Sequence, residues 1–598
     1  MRDQAGAADA IAAAIALDPR NAIRLGKLHQ RLAGPAGHGS AGAVVQNESD
    51  AHGTGFPRRV FVGGCHRFFL PSAAFRRRIL AAGSSRDADL LVGFPVPQPP
   101  YHDDRGRIET GTDPVTITFP APRISTADDE LQHLKESFAA QAKAFHGDSN
   151  PDRRTRGDRL HRLGEMVKAN RQRIIEAVAS DFGTRAAEEI RLTEIAASLA
   201  QIDYARKNLR RWMRPRRRST SIWFLPGSGR VICQPLGVVG VMAPWNLPFN
   251  LALAPAVAAI AAGNRVIIKM SEAAPATGEL TRAIVRERMD ETELSVVLGA
   301  ADVAQAFADL PWNHLLFTGS TSVGRKVALA AARNLVPVTL ELGGKSPVIV
   351  DRDFPIEEAA KRVAWGKAFN AGQICVAPDY AFVPREKVHD FAQAFLAQGR
   401  RYFPGGIMDD AYTSIIDERG VSRLEGLLGA ARQMGAEVLS LGEMTDVSRR
   451  SRKIPLSLVI DPPRDSSIMT NEIFGPLLVV LGYDKIDEAI AFIRSRENPL
   501  GLYYFGHDKA TRGRILSETL SGGVAINDVM LQYLQVDLPF GGVGASGIGR
   551  YHGTEGFDTF SHHRAVFTQR GPLGVTGLKF LYPPYGAIGK RLISMMGG

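Results

Sequence analysis

Between residues 238 and 350 the sequence alternates short β-branched apolar runs with segments of helical spacing, and this alternation narrows the choice of fold more than any other feature. VVGVMAP (238–244), RVIIK (265–269) and HLLFTG (314–319) are each followed by an Ala-rich or amphipathic stretch, and VPVTLEL (336–342) closes the series. Strands apolar on both faces and separated by helices demand a parallel sheet covered on both sides. A second series follows: SPVIV (346–350), a helix from Ile356, YAFV (380–383), PLLVVLGY (476–483), DEAIAFIRSR (487–496), LYYFG (502–506) and KATRGRILSETL (509–520). Two doubly wound α/β domains are expected, and 598 residues suffice to build them. Ahead of them, 128–146, 154–183 and 186–213 have helical spacing, and SIWFLPGSGRVICQPLG (221–237) predicts a β-hairpin turning on Pro-Gly-Ser-Gly.

Residues 1–125 differ in kind, being rich in Gly, Ala, Arg, Pro and His without clean periodicity. They read as a poorly ordered extension, with an additional domain as the alternative. The formal charge of +11 raises the question of nucleic acid, but the one dense basic run, RKNLRRWMRPRRRS (206–219), reads as the solvated end of a helix and has no recognition signature beside it. No nucleic-acid partner is expected. Three scattered cysteines, Cys65, Cys233 and Cys375, support neither a disulfide framework nor a zinc site, so no metal and a cytoplasmic location are expected. The apolar run LALAPAVAAIAAG (251–263) is shorter than the ~18 residues that a membrane-spanning helix needs, and no membrane association is expected.

Four stretches carry candidate chemistry. In FNAGQICVAP (369–378) Cys375 reads either as a reactive thiol at a turn or as a small buried hydrophobe. In VTLELGGKSP (338–347) Glu341 ends a strand, where α/β sites form; it is a candidate general base or a carboxylate facing solvent. In MAPWNLPFN (242–250) the Asn246 amide could donate to an oxyanion or cap a helix. FTGSTSVGR (317–325) passes from a strand through Gly319 and Ser320 into a helix, the outline of a phosphate site, although it lacks the G-x-G-x-x-G spacing. VIIKMSE (266–272) sets Lys269 and Glu272 after a strand, where ribose hydroxyls are read, and NEIFGP (471–476) offers Glu472 beside Phe474 for a second ribose.

In this order, PWNLPFN, KMSE, FTGSTSVG, LELGGKSP, GQICVAPDY, EIFGPLL and LPFGGVGASGIGRYHG resemble the aldehyde dehydrogenase superfamily over about residues 130–570, and the 34-residue interval from Glu341 to Cys375 matches its layout. GQICVAPDY, RYHGTEGFDTFSHHRAV and LYPPYG are similar to the branch that holds the coniferyl aldehyde and fatty-aldehyde enzymes, and WMRPRRRSTS to the coniferyl aldehyde enzymes. The resemblance implies a Rossmann-like NAD-binding domain over 126–340, which includes a hairpin of an oligomerisation element. A catalytic domain over 341–545 and an oligomerisation strand and tail over 546–598 would follow.

It further implies NAD(P)-dependent oxidation of an aldehyde to the acid. Coniferaldehyde, another aromatic aldehyde or a medium- or long-chain aldehyde would be the substrate. Cys375 would be the nucleophile, Asn246 the oxyanion donor and Glu341 the base that activates water. Lys269 and Glu272 would hold the adenine ribose, Gly319 and Ser320 the pyrophosphate, and Glu472 and Phe474 the nicotinamide side, with NAD preferred because Glu272 repels a 2′-phosphate. A homo-oligomer, dimer or tetramer, is expected. Leu247 stands where many relatives carry an aromatic residue, which leaves the substrate pocket open. The rivals are a CoA-acylating enzyme, a thiol hydrolase pairing Cys375 with His389, and a non-catalytic relative.

Overall fold

The computed structural model describes residues 126–569 and 581–597; the expectation for 1–125 lies outside the described residues. The first helix among the described residues, Ala127–Gly147, starts where Thr126 and Asp129 cap each other's backbone amides, with Asp128, Asp129 and Glu130 in the positive first turn. The stretch expected as one helix over 154–183 is two, Arg153–Ala169 and Arg171–Phe182. The break falls at Asn170, whose side chain bonds the Met166 carbonyl, a competition with the backbone that short polar side chains offer. The next helical stretch is also interrupted: Ala187–Ile190 is α, Arg191–Ala196 is a π-helical turn, and Ala197–Trp212 is α again.

A six-stranded sheet holds, in spatial order, Gly547–Ile548, Val338–Glu341, His314–Thr318, Val238–Met242, Arg265–Lys269 and Leu294–Val297. Every pair is parallel except that of Gly547–Ile548 with Val338–Glu341. The chain winds outward from Val238–Met242 in one direction, then returns beside it with His314–Thr318 and winds outward in the other. That reversal opens a crevice at the strands' carboxyl ends. The loops carrying Asn246, Ser320 and Glu341 all leave from there. The apolar segment 251–263 becomes a helix, Asn250–Ala262, buried along its whole length and closed by Gly263 in the left-handed region (φ 97°). A helix apolar all round is a core helix, and its alanines let neighbours approach closely.

The second sheet has seven strands in the order Glu437–Ser440, Ser457–Ile460, Leu477–Tyr483, Tyr380–Pro384, Pro347–Val350, Gly501–Phe505 and Gly523–Ile526. Only the Glu437–Ser440 pairing is antiparallel. It lends the site the segments that enter its strands: 343–346, 369–379 and 471–476 precede Pro347–Val350, Tyr380–Pro384 and Leu477–Tyr483.

A third sheet corrects the predicted hairpin. Residues 222–224 form a 3-10 turn, and the partner of Ser228–Pro235 is Arg216–Arg218, inside the basic run read as a helix end. Arg216 forks onto both oxygens of Asp558, which gives one of those arginines an internal partner. Ser561–Thr568 pairs along the other side of Ser228–Pro235 over eight residues. Among the described residues no helix is long and apolar enough to cross a membrane.

Candidate active site

The turn before Cys375 is held in an expensive conformation. After the helix Ile356–Ala368 the backbone takes positive φ at Asn370 (50°), Ala371 (50°) and Gly372 (69°). Such values cost about 1–2 kcal/mol for residues with a Cβ. At Gly372 a Cβ would also stand 2.3 Å from the Gly475 carbonyl, so only glycine fits. Asn370 and Gln373, both fully buried, hold the turn. The Asn370 amide donates to the carbonyls of Asn246 (3.0 Å) and Gln373 (3.1 Å). Gln373 donates to the Asn370 and Ser414 carbonyls and accepts from the Ile416 amide. A backbone strained and clamped in this way is characteristic of functional turns.

Asn246 is buried beside this turn, and its Nδ2 donates to the Gln373 carbonyl at 3.1 Å. It does not cap a helix: the following helix begins at Asn250 with Phe249 at the cap position. An amide with one N–H used and a second to give remains beside the thiol loop.

Glu341 ends its strand at 2% exposure, and neither of its oxygens has a hydrogen-bond partner among the described residues. Burial alone pushes its pKa well above the usual carboxylate range. Glu472 is pushed up to about 8 by burial and by Asp379, against the pull of the Gly344 amide and of Lys345 and Lys367. Cys375 keeps some accessible surface, but its sulfur lies in an interior-like environment; burial and then the charges of Glu472 and Glu341 drive the thiol pKa far up. A thiol so placed is protonated at neutral pH, and attack by it requires a proton acceptor. Glu341 is a buried carboxylate within electrostatic reach of it. His389 is exposed on the helix Val388–Tyr402.

The remaining candidates fall on the nucleotide-like side. Ser320 caps the helix Thr321–Arg333, accepting from the Val323 amide, and is exposed at a positive helix end. A Cβ on Gly319 would stand 2.5 Å from the Phe317 ring. Lys269 is buried along its stem and meets the Glu272 carboxylate at 3.1 Å. Beside them lies a cleft of about 440 Å³ lined by Met270, Glu272, Pro275, Gly278 and Leu298. Phe474, at φ 43°, sets its ring edge-on to Trp245. The glycines of the Glu341 loop give room: a Cβ on Gly343 would overlap Glu472 Oε2 at 1.9 Å. Lys345 bonds Asp379 and the Ile468 and Asn471 carbonyls, fastening the Glu472 loop.

The sequence reading did not single out an aromatic wall around the thiol. Tyr503 donates to the Val376 carbonyl, and Tyr533 and Tyr551 are buried within electrostatic reach of Cys375 and Glu341. His552 packs on Tyr533, Phe540 and Tyr551, and burial lowers its pKa to about 3, so it is a neutral ring. Tyr533 also lines an apolar cleft with Leu247, Trp365, Phe369, Ile374 and Met530, next to the Cys375 turn. Tyr503 and Tyr533 lie more than a hundred positions from Cys375 and outside every motif stretch, whereas Leu247, Phe369, Ile374, Phe540, Tyr551 and His552 fall in motif stretches that gave no sign of a shared wall.

The model of the aldehyde dehydrogenase family matches residues 120–566. A probable coniferyl aldehyde dehydrogenase of Pseudomonas aeruginosa is 45% identical over 470 residues, 79% of this chain and 97% of that protein. The 4,4'-diaponeurosporen-aldehyde dehydrogenase of Staphylococcus aureus is 39% identical over 433 residues, 72% of this chain and 93% of that one. Among solved structures, the substrate-bound state of Staphylococcus aureus AldH superposes with a TM-score of 0.74 at 37% identity, covering 78% of this chain and 99% of that one. A Mycobacterium tuberculosis aldehyde dehydrogenase complexed with NAD+ superposes with a TM-score of 0.66 at 26% identity, covering 73% and 90%.

Proposed function

This chain belongs to the aldehyde dehydrogenase family, and from that premise we propose that it oxidises an aldehyde to the free carboxylic acid through a covalent intermediate on Cys375, with NAD as the preferred cofactor. The observation that carries the reading is Glu341: a buried carboxylate without a hydrogen-bond partner among the described residues, within electrostatic reach of a thiol that cannot ionise unaided.

The residues fit a nicotinamide dinucleotide. Ser320 and the helix end behind Gly319 would hold the pyrophosphate, Lys269 and Glu272 the adenine ribose, and Glu472 with Phe474 the nicotinamide end. Glu272 is held ionised: its own backbone amide and Lys269 outweigh the burial that works against its charge. That charge disfavours a 2′-phosphate, which supports NAD over NADP.

In the chemistry that follows, Cys375 gives its proton to Glu341, directly or through water, and the sulfur bonds to the aldehyde carbon. The oxyanion so formed accepts from Asn246 Nδ2 and, by family analogy, from the Cys375 amide. The bound cofactor supplies the acceptor for the hydride that leaves this carbon. Glu341 passes the thiol proton on through water to solvent and, ionised again, takes a proton from the water that attacks the thioester left on Cys375; the C–S bond breaks, the thiolate regains a proton from Glu341 and the acid departs. Asn246→Ala is expected to lower kcat about 10²- to 10³-fold with little change in NAD affinity, the usual cost of one oxyanion donor, measured by steady-state NADH formation.

The apolar cleft beside Ile374 supports an aromatic or apolar aldehyde, and the coniferyl aldehyde dehydrogenases among the relatives support coniferaldehyde within that class. Retention of Glu341 favours water over CoA as acyl acceptor. The outward edge of Ser561–Thr568, most of whose side chains are exposed, supports strand pairing between copies in a homo-oligomer. Dispersed cysteines support a cytoplasmic location. The test is NADH or NADPH formation with coniferaldehyde, benzaldehyde, hexanal and decanal, each with NAD and with NADP, with and without CoA. Free acid from coniferaldehyde and NAD is expected. An acyl-CoA product in place of acid, or equal rates with all four aldehydes, would overturn the acyl acceptor or the substrate preference respectively.

A further inference from the structure

A charged cluster that the chemistry above does not use is buried beneath the site. The Arg185 side chain is fully buried; its Nε donates to Glu189 Oε1 (3.0 Å), Nη1 to Glu194 Oε1 (3.0 Å) and Nη2 to Thr193 Oγ1 (2.9 Å). The Glu194 side chain is equally buried. Glu194 and Thr193 both lie in the π-helical turn Arg191–Ala196. A π turn accommodates one extra residue, a rare geometry that appears mostly at functional sites. A buried charge triad is a poor source of stability, because desolvation offsets most of its Coulomb attraction. What it does here is shown by the carboxylate oxygens that Arg185 leaves free.

Both are spent on backbone amides of the candidate active site. Glu194 Oε2 accepts from the amide of Asn250, the first residue of the buried helix, at 2.8 Å. The Asn250 side chain then donates to Ser198 Oγ (3.0 Å) and accepts from the Tyr533 hydroxyl (2.7 Å). Tyr533 is at once a wall of the apolar cleft and a ring partner of Phe540 and His552. Glu189 Oε2 accepts from the Asn370 amide at 3.0 Å, at the first left-handed residue of the Cys375 turn. Asn370 in turn donates to the Asn246 carbonyl. One guanidinium thus stands between two chains of hydrogen bonds, one ending on the Tyr533 wall of the apolar cleft and the other on the turn that carries Cys375 and meets Asn246.

We propose that Arg185, Glu189 and Glu194 are positioning residues for the reaction, which fix the Tyr533 wall and the Asn370–Cys375 turn in mutual register. Glu194 also caps a helix, so a purely structural role must be separable by experiment. The proposal rests on the aldehyde-oxidising function above, and the unaltered enzyme tests that function first.

In Glu194→Gln the amide NH2 faces either the Arg185 guanidinium or the Asn250 N–H, so one acceptor is lost. The variant is expected to raise the aldehyde KM and to lower kcat/KM roughly tenfold, with the KM for NAD unchanged within about twofold. Tyr533→Phe removes only the hydroxyl at the end of the same chain, and its effect on kcat/KM is expected to be similar. In the double variant the two losses are expected not to multiply, because the second change acts on a chain already broken. Effects that multiply, or equal weakening of aldehyde and NAD with a lowered Tm, would show that Glu194 only supports the fold and would overturn the proposal. If Glu194→Gln is not recovered folded, Arg185→Lys carries the test: an ammonium cannot serve three fixed acceptors as the guanidinium fork does, and the same KM split and the same non-multiplying pair with Tyr533→Phe are expected. An unaltered enzyme that forms no NADH would instead fail the function itself, and this inference with it; an active one with normal variants fails the inference alone.

Discussion

Cys375→Ser is expected to lower aldehyde-dependent NADH formation by at least about 10³-fold, the scale of losing a nucleophile that acts with its base as a unit. The substitution exchanges one atom in a turn whose shape is set by Asn370, Gln373 and Gly372, so the geometry should survive it. A serine hydroxyl in the same buried, acid-flanked setting is harder to ionise than the thiol, and burial already pushes the thiol far up. The other described cysteine, Cys233, belongs to the strand Ser228–Pro235 and cannot take over. NADH binding, followed by protein-to-nucleotide fluorescence transfer, is expected to remain, because Ser320, Lys269 and Glu272 are untouched. Loss of binding together with activity would mean that the variant had damaged the fold and not the chemistry.

The second large effect is expected from Glu341→Gln: turnover falls about 10²- to 10³-fold, the scale of removing a general base, while a first-turnover burst of NADH persists with an amplitude near one per active site. The burst separates the two halves of the reaction: without Glu341 the thiol proton leaves more slowly through water to solvent, so the burst is slowed but completes, whereas thioester hydrolysis loses the base that activates its water in every turnover. On the proposed mechanism the hydrolytic step of the unaltered enzyme needs the ionised carboxylate. Its rate therefore rises with pH through the raised Glu341 pKa, and that limb is expected to flatten in the variant. Stability moves the other way. The unfolded chain releases this proton near pH 4.5, whereas the folded chain retains it to higher pH, so between those values the folded state pays an increasing cost for the buried carboxyl. Glu341→Gln removes the cost and is expected to melt no lower, and at neutral pH higher, than the unaltered enzyme. Such a trade is common where a site is built from destabilised groups.

The parts of the fold that were legible in the sequence are those that a local pattern dictates. Val238–Met242, Arg265–Lys269 and His314–Thr318 are apolar on both faces and could hardly be anything but central strands. Asn246, Ser320 and Glu341 were legible because each follows such a strand, where the doubly wound topology puts its crevice. The hairpin arm was misplaced because Ile222, Trp223 and Phe224 have high β propensity, whereas Arg216–Arg218 reads as a solvated basic run; Asp558, far along the chain, reverses the second of these readings. Likewise the interruption at 191–196 has no local signature. RLTEIA is an acceptable α-helical sequence, and the Arg185 triad that accompanies the π turn depends on partners at 250, 370 and 413. Tyr533 was missed for the same reason: its meaning comes from Asn250, Phe540 and His552, and a single sequence does not show who meets whom.

The covalent step on Cys375 is open to direct detection. Glu341→Gln, mixed with excess coniferaldehyde and NAD and quenched in acid after the burst, is expected to carry one added acyl group per chain by intact-protein mass spectrometry. Proteolysis is expected to place it on the peptide that contains Cys375, and Cys375→Ser treated identically is expected to show none. NADH formed without any adduct, or an adduct that persists in Cys375→Ser, would contradict the assignment of Cys375 as the attacking group.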